Sequence, residues 1–282
     1  MTRTGTTALT VSEEIRQRFD EFSRSQKDVG QYIVDHLEEA AFHTAEELAR
    51  RANTSSSTVV RFAQALGFEG FPELQAAARD EYRRGREGNG GVETTTQPLF
   101  PIDQTEFEAA LSADHANVEE TARKIDRDEV AAAAELVSGA ERIVLCGTDQ
   151  MAFFASYLRH LLMLLDLRAE VVASPSQEGL ARLGRVDEKT VLIGFSAGRP
   201  HPLVVRALKL ARNRRAATIA ISDATLSEIA KVADHKLYYS SNSPAYVRSH
   251  TALLGLIQAL AYAIYALDEP AYQDRIKAFR LK

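Results

Sequence analysis

The chain has 282 residues, of which 45% are hydrophobic and 26% charged, a balance typical of folded globular proteins and a length sufficient for two ordinary domains. Its single cysteine excludes an intrachain disulfide, and its formal net charge of −5 excludes nucleic-acid binding through overall positive charge. No apolar run follows the first arginine, so we expect no secretory signal and a cytoplasmic protein.

The first informative pattern lies between residues 44 and 74, where apolar residues recur at helical spacing in two short segments. The first predicted helix buries Leu48 and Ala49. A polar break follows, Ser55 is a suitable N-cap for the second helix, and Gly67 is a suitable residue to end it. Two short helices joined in this way predict a helix-turn-helix, whose second helix enters the major groove of DNA.

The outward face of the second helix carries small hydroxyl side chains and, one turn later, the long guanidinium of Arg61. Small residues allow close approach to a major groove, and a guanidinium can reach a guanine edge or a phosphate. Positive charge is only local, because Leu48 to Leu66 contains arginines and no acidic residue, so we expect two heads on one dimer to be needed. An ordinary helical bundle with a solvated face is the alternative. The predicted DNA-contacting residues are Thr44, Ser55, Ser56, Ser57, Thr58, Arg61 and Gln64.

The same segment resembles the amino-terminal domain of RpiR-type bacterial transcriptional regulators. That family's pattern is Ser-x-x-Thr-Val-x-Arg-Phe followed by Leu-Gly-Phe-x-Gly-Phe. The resemblance implies a regulator whose residues 1–84 form a helix-turn-helix DNA-binding domain and whose later domain senses a metabolite. The matching positions are Ser55, Thr58, Val59, Arg61, Phe62, Leu66, Gly67, Phe68, Gly70 and Phe71.

Residues 85–104 are rich in Gly, Thr and Pro without apolar periodicity, which predicts a linker. Beyond it, a helical pair at 105–125 and 128–138 precedes short β-rich runs that alternate with amphipathic stretches. This alternation predicts an α/β domain over residues 105–282, with a parallel sheet flanked by helices, behind the all-α head. The predicted strands are 142–146, 169–173, 190–195, 217–221 and 235–239, and the predicted helices between them are 151–165, 177–183, 202–213 and 226–233.

The loops at the carboxyl ends of the first three predicted strands are the expected ligand site. In parallel sheets, ligands bind at this edge, where helix N-termini present unpaired N–H groups to anions. Hydroxyl groups in the same loops complete a cradle that suits phosphate. The predicted effector-binding residues are Gly147, Thr148, Gln150, Ser174, Ser176, Ser196, Gly198, Arg199 and His201.

Residues 142–239 resemble a sugar isomerase (SIS) domain, through Ile-Gly-x-Ser at 193–196, Ile-Ala-Ile-x-Asp at 219–223 and Ser-x-x-Ala at 227–230. In RpiR-type regulators, a SIS domain follows the DNA-binding head and senses a phosphosugar. The resemblance therefore implies that residues 105–282 bind an effector and dimerise.

Two loops depart from the SIS pattern. Asp149 and Met151 replace a glycine and a serine in the first, and Arg199 and His201 replace a glycine and a threonine in the second. Either Arg199 and His201 supply charge-assisted donors to a phosphate or carboxylate, or the pocket has degenerated and Arg199 is merely exposed. We expect an anionic effector, a phosphosugar or a sugar acid, with a partly cationic metabolite as the alternative.

Other chemistry has weaker support in the sequence. The histidines show no metal-ligand spacing and no nucleophile–base pair can be named, so we expect no metal, no cofactor and no catalytic residue. A phosphosugar isomerase or lyase with Glu178 as its base is the alternative function, and a sensor that binds protein is a third.

The apolar stretch of residues 251–267 is too short for a comfortable membrane span. It is predicted to be a core or dimer-interface helix. The expected partners are thus a double-stranded DNA operator, a small-molecule effector and further copies of the chain, as a homodimer or tetramer, and no membrane.

Overall fold

The computed structural model describes residues 9–88 and 105–280. The chain divides into two compact units, Met1–Thr96 and Gln97–Lys282, which we call unit 1 and unit 2. Unit 1 is helical and unit 2 is an α/β layer structure. The predicted fold class is confirmed.

Unit 1 builds its helices around the two segments that the sequence singles out. Thr44 forms a capping box at the start of the first of the two helices. At the start of the second helix, the Ser55 hydroxyl accepts from the backbone N–H of Thr58. Both caps give acceptors to backbone N–H groups that would otherwise be unpaired. Gly67 follows the second helix with a φ of 94°, a conformation that glycine adopts readily. The helices are α1 (Val11–Arg18), α2 (Arg24–Asp35), α3 (Leu37–Phe42), α4 (Ala45–Arg51), α5 (Ser56–Ala65) and α6 (Phe71–Gly88).

The core of unit 1 forms where α2 crosses α5. Phe62 is fully buried and its ring packs edge-on against Phe22, with the ring centroids 5.0 Å apart. Gly30 of α2 lies directly under Phe62, because a Cβ at that position would come within 3.0 Å of the Phe62 ring. Glycine at this position therefore allows the two helices to approach closely.

The predicted linker begins too early. Helix α6 continues through residues 85–88, and residues 89–104 lie outside the described part of the chain. Once a helix has nucleated, each added residue costs little, so a single glycine, about 1 kcal/mol worse than alanine, need not stop it at once. The change in composition at Gly85 therefore did not predict where helix α6 ends.

Unit 2 contains a five-stranded, entirely parallel sheet in the order β2-β1-β3-β4-β5. All five predicted strands are confirmed, each to within one residue at its carboxyl end. The order changes direction between β1 and β3, so the loops that follow these two strands flank a topological switch point, where ligands of such sheets bind. The strands are β1 (Arg142–Cys146), β2 (Ala169–Val172), β3 (Thr190–Ser196), β4 (Ala217–Ser222) and β5 (His235–Tyr238).

Helices cover both faces of the sheet, as alternate side chains of the strands require. In β1, Ile143 and Leu145 pack into the core under α8, α9 and α13, whereas Val144 and Cys146 pack into the core under α10, α11 and α12. The predicted helix at 226–233 is shorter than expected, because Ser227 forms its N-cap. The helices are α7 (Glu106–Lys124), α8 (Arg127–Gly139), α9 (Gln150–Leu164), α10 (Gln177–Gly184), α11 (Pro202–Asn213), α12 (Glu228–Val232), α13 (Thr251–Leu267) and α14 (Glu269–Arg280).

The apolar stretch of residues 251–267 is helix α13, and its Leu253, Ile257 and Leu260 are fully buried against the sheet side of unit 2. Among the described residues, no single helix has the length and apolarity to cross a membrane. The pair Thr251–Leu267 and Glu269–Ala278 reaches that length and composition only together, with a bend of 109° between them.

Candidate DNA-reading helix and effector site

Helix α5 separates a buried face from an exposed one. Val59, Phe62 and Ala63 are fully buried, whereas Ser57, Arg61 and Gln64 are exposed. The Arg61 side chain makes no hydrogen bond or ion pair among the described residues, so its guanidinium is available to a partner. The structure therefore places Ser57, Arg61 and Gln64 on one accessible surface, whereas Thr58 is half-buried and its hydroxyl lies 2.9 Å from that of Ser55.

Val60 belongs to the same exposed surface and was missed by the sequence analysis. It is 37% exposed and lies at the helical positions between Ser57 and Gln64. An apolar side chain on a groove-facing surface can contact the methyl group of thymine. The helical spacing of Ser57, Val60, Arg61 and Gln64 is the signal that could have identified it.

The residues at the two helix starts have local structural roles. The Thr44 hydroxyl accepts from the backbone N–H of Glu47 at 3.2 Å and donates to its carboxylate at 3.0 Å. The Ser55 hydroxyl accepts from the Thr58 N–H at 3.3 Å and lies 2.9 Å from the Ser57 hydroxyl. These two hydroxyls are thus committed to helix capping, which leaves Ser56 and Ser57 as the more accessible hydroxyl groups.

Some of the arginines near α5 have their guanidinium groups bound to other residues of unit 1. Arg51 pairs with Glu39 at 2.8 Å, and the Nε of Arg79 donates to the carbonyl of Ala41 at 2.6 Å. Arg50 is exposed and, within the described part of the chain, its side chain makes no hydrogen bond or ion pair. The available positive charge beside the exposed face of α5 therefore comes mainly from Arg50 and Arg61.

In unit 2, the loop after β1 leads directly into α9. A Cβ on Gly147 would come within 2.7 Å of the Met151 carbonyl, so glycine lets the helix begin next to the strand end. Asp149 precedes the helix with a φ of 51° and its exposed carboxylate makes no capping hydrogen bond. The Gln150 amide lies 2.8 Å from Nε2 of His250, which joins this loop to the start of α13.

The loop after β2 has an exposed Ser174 and ends at Ser176, whose hydroxyl accepts from the Gly179 N–H at 3.1 Å as the N-cap of α10. Glu178, the candidate general base of the enzyme alternative, forms an ion pair with Arg182 on the same helix, and its side chain is 75% exposed. An exposed carboxylate that is already paired with a cation on its own helix is poorly placed to take a proton from a bound ligand.

The loop after β3 gives its predicted residues different environments. Ser196 is 3% exposed and its hydroxyl donates to Ser222, so it joins β3 to β4 and lies away from the surface that a ligand would reach. Arg199 is exposed. Nδ1 of His201 accepts from the Leu203 N–H at 3.1 Å, so in the neutral ring Nε2 carries the proton and is the free donor.

A charged group at this edge was missed by the sequence analysis. The Asp223 carboxylate, fully buried at the end of β4, accepts from the Gly198 N–H at 2.6 Å, from the Ser241 hydroxyl at 2.7 Å and from Nη1 of Arg248 at 3.1 Å. We call Gly198, Asp223, Ser241 and Arg248 the edge cluster. The signal was available, because Asp223 follows a strand end, but the rule was applied to the first three strands only.

Two rings lie behind the edge cluster. The hydroxyl of Tyr239 donates to the Ser196 carbonyl at 3.0 Å, and burial raises the pKa of Tyr239 well above its ordinary value. Burial also lowers the pKa of His250, so this ring is neutral near pH 7. Neither ring adds charge to the edge at neutral pH, so its positive charge comes from Arg199 and Arg248.

At the carboxyl ends of the strands, the loops after β1 and β3 thus meet the segment before α13. The Gln150–His250 contact joins the first loop to this segment, and the edge cluster joins the second.

Two open depressions of about 420 and 480 Å³ lie at the opposite end of the strands, beside Lys189. Among the described residues, no group of three or more His, Cys, Asp or Glu side chains is arranged to hold a metal ion.

An exposed helix-turn-helix face followed by a separate parallel-sheet domain is the arrangement of a two-domain transcriptional regulator. Comparison with known families agrees: residues 9–85 match the helix-turn-helix domain of the rpiR family, and residues 136–263 match the SIS domain. The chain therefore belongs to the RpiR family of transcriptional regulators, as the sequence resemblance predicts.

Two relatives match most of this chain. An uncharacterized HTH-type transcriptional regulator of Caldanaerobacter subterraneus subsp. tengcongensis is 23% identical over 231 residues, which cover 80% of this chain and 79% of the relative. A second uncharacterized HTH-type regulator, from Providencia stuartii, is 23% identical over 233 residues, which cover 82% of this chain and 80% of the relative.

Solved structures share the fold. The sugar isomerase domain of an RpiR transcription factor from Sphaerobacter thermophilus matches 61% of this chain and 97% of its own length, with a TM-score of 0.59 and 22% identity. The Vibrio vulnificus NanR protein, complexed with ManNAc-6P, matches 96% of this chain and 97% of its own length, with a TM-score of 0.57 and 19% identity.

Proposed function

We propose that this regulator reads operator DNA with the exposed face of α5 and that a small anionic metabolite, bound at the carboxyl edge of the unit 2 sheet, changes its affinity for that DNA. The observation that carries the proposal is the row of Ser57, Val60, Arg61 and Gln64, which is exposed although the opposite face of the same helix is fully buried. Two hydroxyl or amide groups, one methyl-contacting side chain and one guanidinium are suitable base-reading groups.

The DNA-reading part is tested by Arg61→Ala. Loss of one good bidentate contact to a base costs about 1–3 kcal/mol, so we expect roughly tenfold or weaker binding to the operator. Arg16→Ala on α1 is the matched control, because it removes the same charge from an exposed helix of unit 1. Electrophoretic mobility shift and footprinting on the promoter beside the gene measure both variants. Equal binding by the Arg61 and Arg16 variants would refute the assignment.

Anion binding at the sheet edge is supported by the available donors. Arg199 and His201, with its free Nε2–H, lie on the loop where α11 begins, and the Arg248 guanidinium reaches the same loop at Gly198 from the segment before α13. Helix N-termini favour negative charge. The NanR protein, which has the same fold, is complexed with ManNAc-6P. We therefore propose a phosphosugar or a sugar acid as the effector class.

A metabolite panel tests this part. Thermal shift identifies binders, and each binder is then titrated into the mobility-shift assay. Stabilisation must rise with ligand concentration as mass action requires, and the same ligand must change operator affinity. A panel of phosphosugars and sugar acids without any binder would refute the effector class.

We propose that the regulator acts without catalysis and as a dimer or tetramer. The exposed, ion-paired Glu178 supports the absence of catalysis. Local rather than global positive charge supports the assembly, because two heads on adjacent half-sites multiply a weak single contact. Analytical ultracentrifugation tests the assembly, and turnover of a phosphosugar by the purified protein would contradict the noncatalytic assignment.

A further inference from the structure

Arg248 and Asp223 form an ion pair of unequal exposure. The Asp223 side chain is fully buried, whereas the Arg248 side chain is 54% exposed. Here the buried carboxylate holds one end of the guanidinium, and the other end faces solvent.

The hydrogen bonds fix the orientation of the guanidinium. Nη1 of Arg248 donates to Asp223 at 3.1 Å and to the Ser241 hydroxyl at 3.3 Å. Nε and Nη2 donate to no group among the described residues, and they lie over Gly198, where a Cβ would come within 3.4 and 3.3 Å of them. The edge formed by Nε and Nη2 presents two parallel N–H groups, which match two oxygens of one phosphate or carboxylate.

Gly198 permits this arrangement in two ways. Its φ of 60° lies in the left-handed region that favours glycine, and a Cβ there would lie only 3.3–3.5 Å from the Arg248 guanidinium. Its N–H also donates to Asp223, so one residue supports both members of the pair. The Arg248 guanidinium therefore lies against the loop after β3, at the residue that precedes Arg199.

We infer that Arg248 is the anion-binding side chain of the effector site, with Asp223 as the positioning residue that turns the Nε and Nη2 edge outward. The inference deepens the proposed function and rests on it for the identity of the site. The group recognised is an oxyanion with two oxygens in reach of one guanidinium edge, as in a phosphate monoester or a carboxylate. This cation supplies N–H donors in place of the hydroxyl groups that the altered loops lack.

The test uses full-length protein with inorganic phosphate and, separately, acetate as probes, titrated at constant ionic strength and followed by thermal shift. Wild-type protein should bind at least one probe saturably. Arg248→Ala should weaken that binding about tenfold or more, since hydrogen bonds to charged groups are worth roughly 1.5–3 kcal/mol each. Arg248→Lys should restore the charge but little of the affinity, because an ammonium is not bidentate. Phosphate binding alone indicates a phosphate ester, and acetate binding alone indicates a carboxylate.

Two further variants separate binding from folding. Arg248→Ala combined with Asp223→Asn removes both charges, so it leaves no unpaired buried carboxylate and should fold, yet bind the probe as weakly as Arg248→Ala. Asp223→Asn alone should weaken probe binding, because the guanidinium of Arg248 is then no longer held in place. If Asp223 acted only as a negative charge near the anion, its removal would instead strengthen binding. Arg185→Ala, an exposed arginine ahead of β3 at the opposite edge of the sheet, should bind like wild type.

The inference is overturned if neither probe binds the wild type saturably, or if the Arg248 variants bind like wild type. Its failure is distinct from that of the proposed function. A panel metabolite that binds Arg248→Ala and wild type equally removes Arg248 from the site but keeps the regulator assignment. Arg248-dependent probe binding without any panel binder keeps the anion site and removes the proposed effector class.

Discussion

Asn117→Ala should destabilise unit 2 by an amount that its hydrogen bonds allow us to work out. Asn117 lies on α7, is 1% exposed, and joins that helix to the segment between β5 and α13. Its Nδ2 donates to the Asn242 carbonyl at 2.6 Å, and its Oδ1 accepts from the Asn242 N–H and from the Ser240 hydroxyl, both at 2.9 Å. The variant removes all three bonds at a site that solvent does not reach.

A buried hydrogen bond contributes about 1 kcal/mol net, so three predict a loss of about 3 kcal/mol. For a unit of this size, that corresponds to a fall of roughly 6–12 °C in the melting temperature of unit 2. Differential scanning calorimetry measures the transition, because two units need not unfold together. His115→Ala is the control, since His115 is exposed on the same helix and its side chain makes no hydrogen bond or ion pair with the described residues.

A fall of less than about 2 °C, or an equal fall for the His115 variant, would show that the Asn117 bonds do not hold α7 to that segment. A fall in the expected range has a functional consequence as well. The segment between β5 and α13 contains Ser241 and Arg248 of the edge cluster. Where this segment meets α13, Asp114 of α7 accepts hydrogen bonds from the hydroxyl groups of Ser249 and Thr251. Loosening α7 should therefore also weaken anion binding by Arg248.

Two further predictions concern packing and reactivity. Gly30→Ala should destabilise unit 1 by about 1–3 kcal/mol, because the new methyl would meet Phe62 at 3.0 Å and Ile15 at 3.1 Å. Gly255→Ala, with no atom within 4 Å of the new methyl, should stabilise α13 by roughly 0.5–1 kcal/mol. Urea denaturation followed by circular dichroism compares the two variants, and equal effects would contradict the packing argument. Burial raises the pKa of the Cys146 thiol to about 12, so native protein should not react with a thiol reagent at pH 8 and should react after unfolding; rapid labelling of the native state would contradict this.

Local patterns in the sequence predicted the elements that local physics controls. The N-cap at Ser55, the helix end at Gly67 and the strand ends of unit 2 depend on residues within a few positions of each other, and the structure confirms them. Helix α6 is the instructive failure, because a helix end depends on propagation as well as on the residue type at the boundary. The family resemblance added the order of the two domains.

The edge cluster could not be predicted in the same way. Asp223 lies 25 residues from both Gly198 and Arg248, and Asn117 lies more than a hundred residues from its partners, so no periodicity connects them. Only the rule that ligands bind at the carboxyl ends of parallel strands links these positions, and it applies to every strand. Applied to β4, it would have singled out Asp223, and the need of a buried carboxylate for a cation would have led to Arg248.

The same reasoning decides how the altered loops are to be understood. Asp149 adds a negative charge near the loop after β1, which counts against an anionic ligand if charge alone is considered. Its carboxylate is exposed, however, so water weakens its interaction with a bound ligand, and salt screens much of that interaction beyond about 10 Å. The Nε and Nη2 donors of Arg248 can contact a bound oxyanion directly, and a direct charge-assisted hydrogen bond outweighs a screened repulsion. The loss of loop serines therefore changes which groups can hold an anion at this edge, without making the edge unsuitable for one.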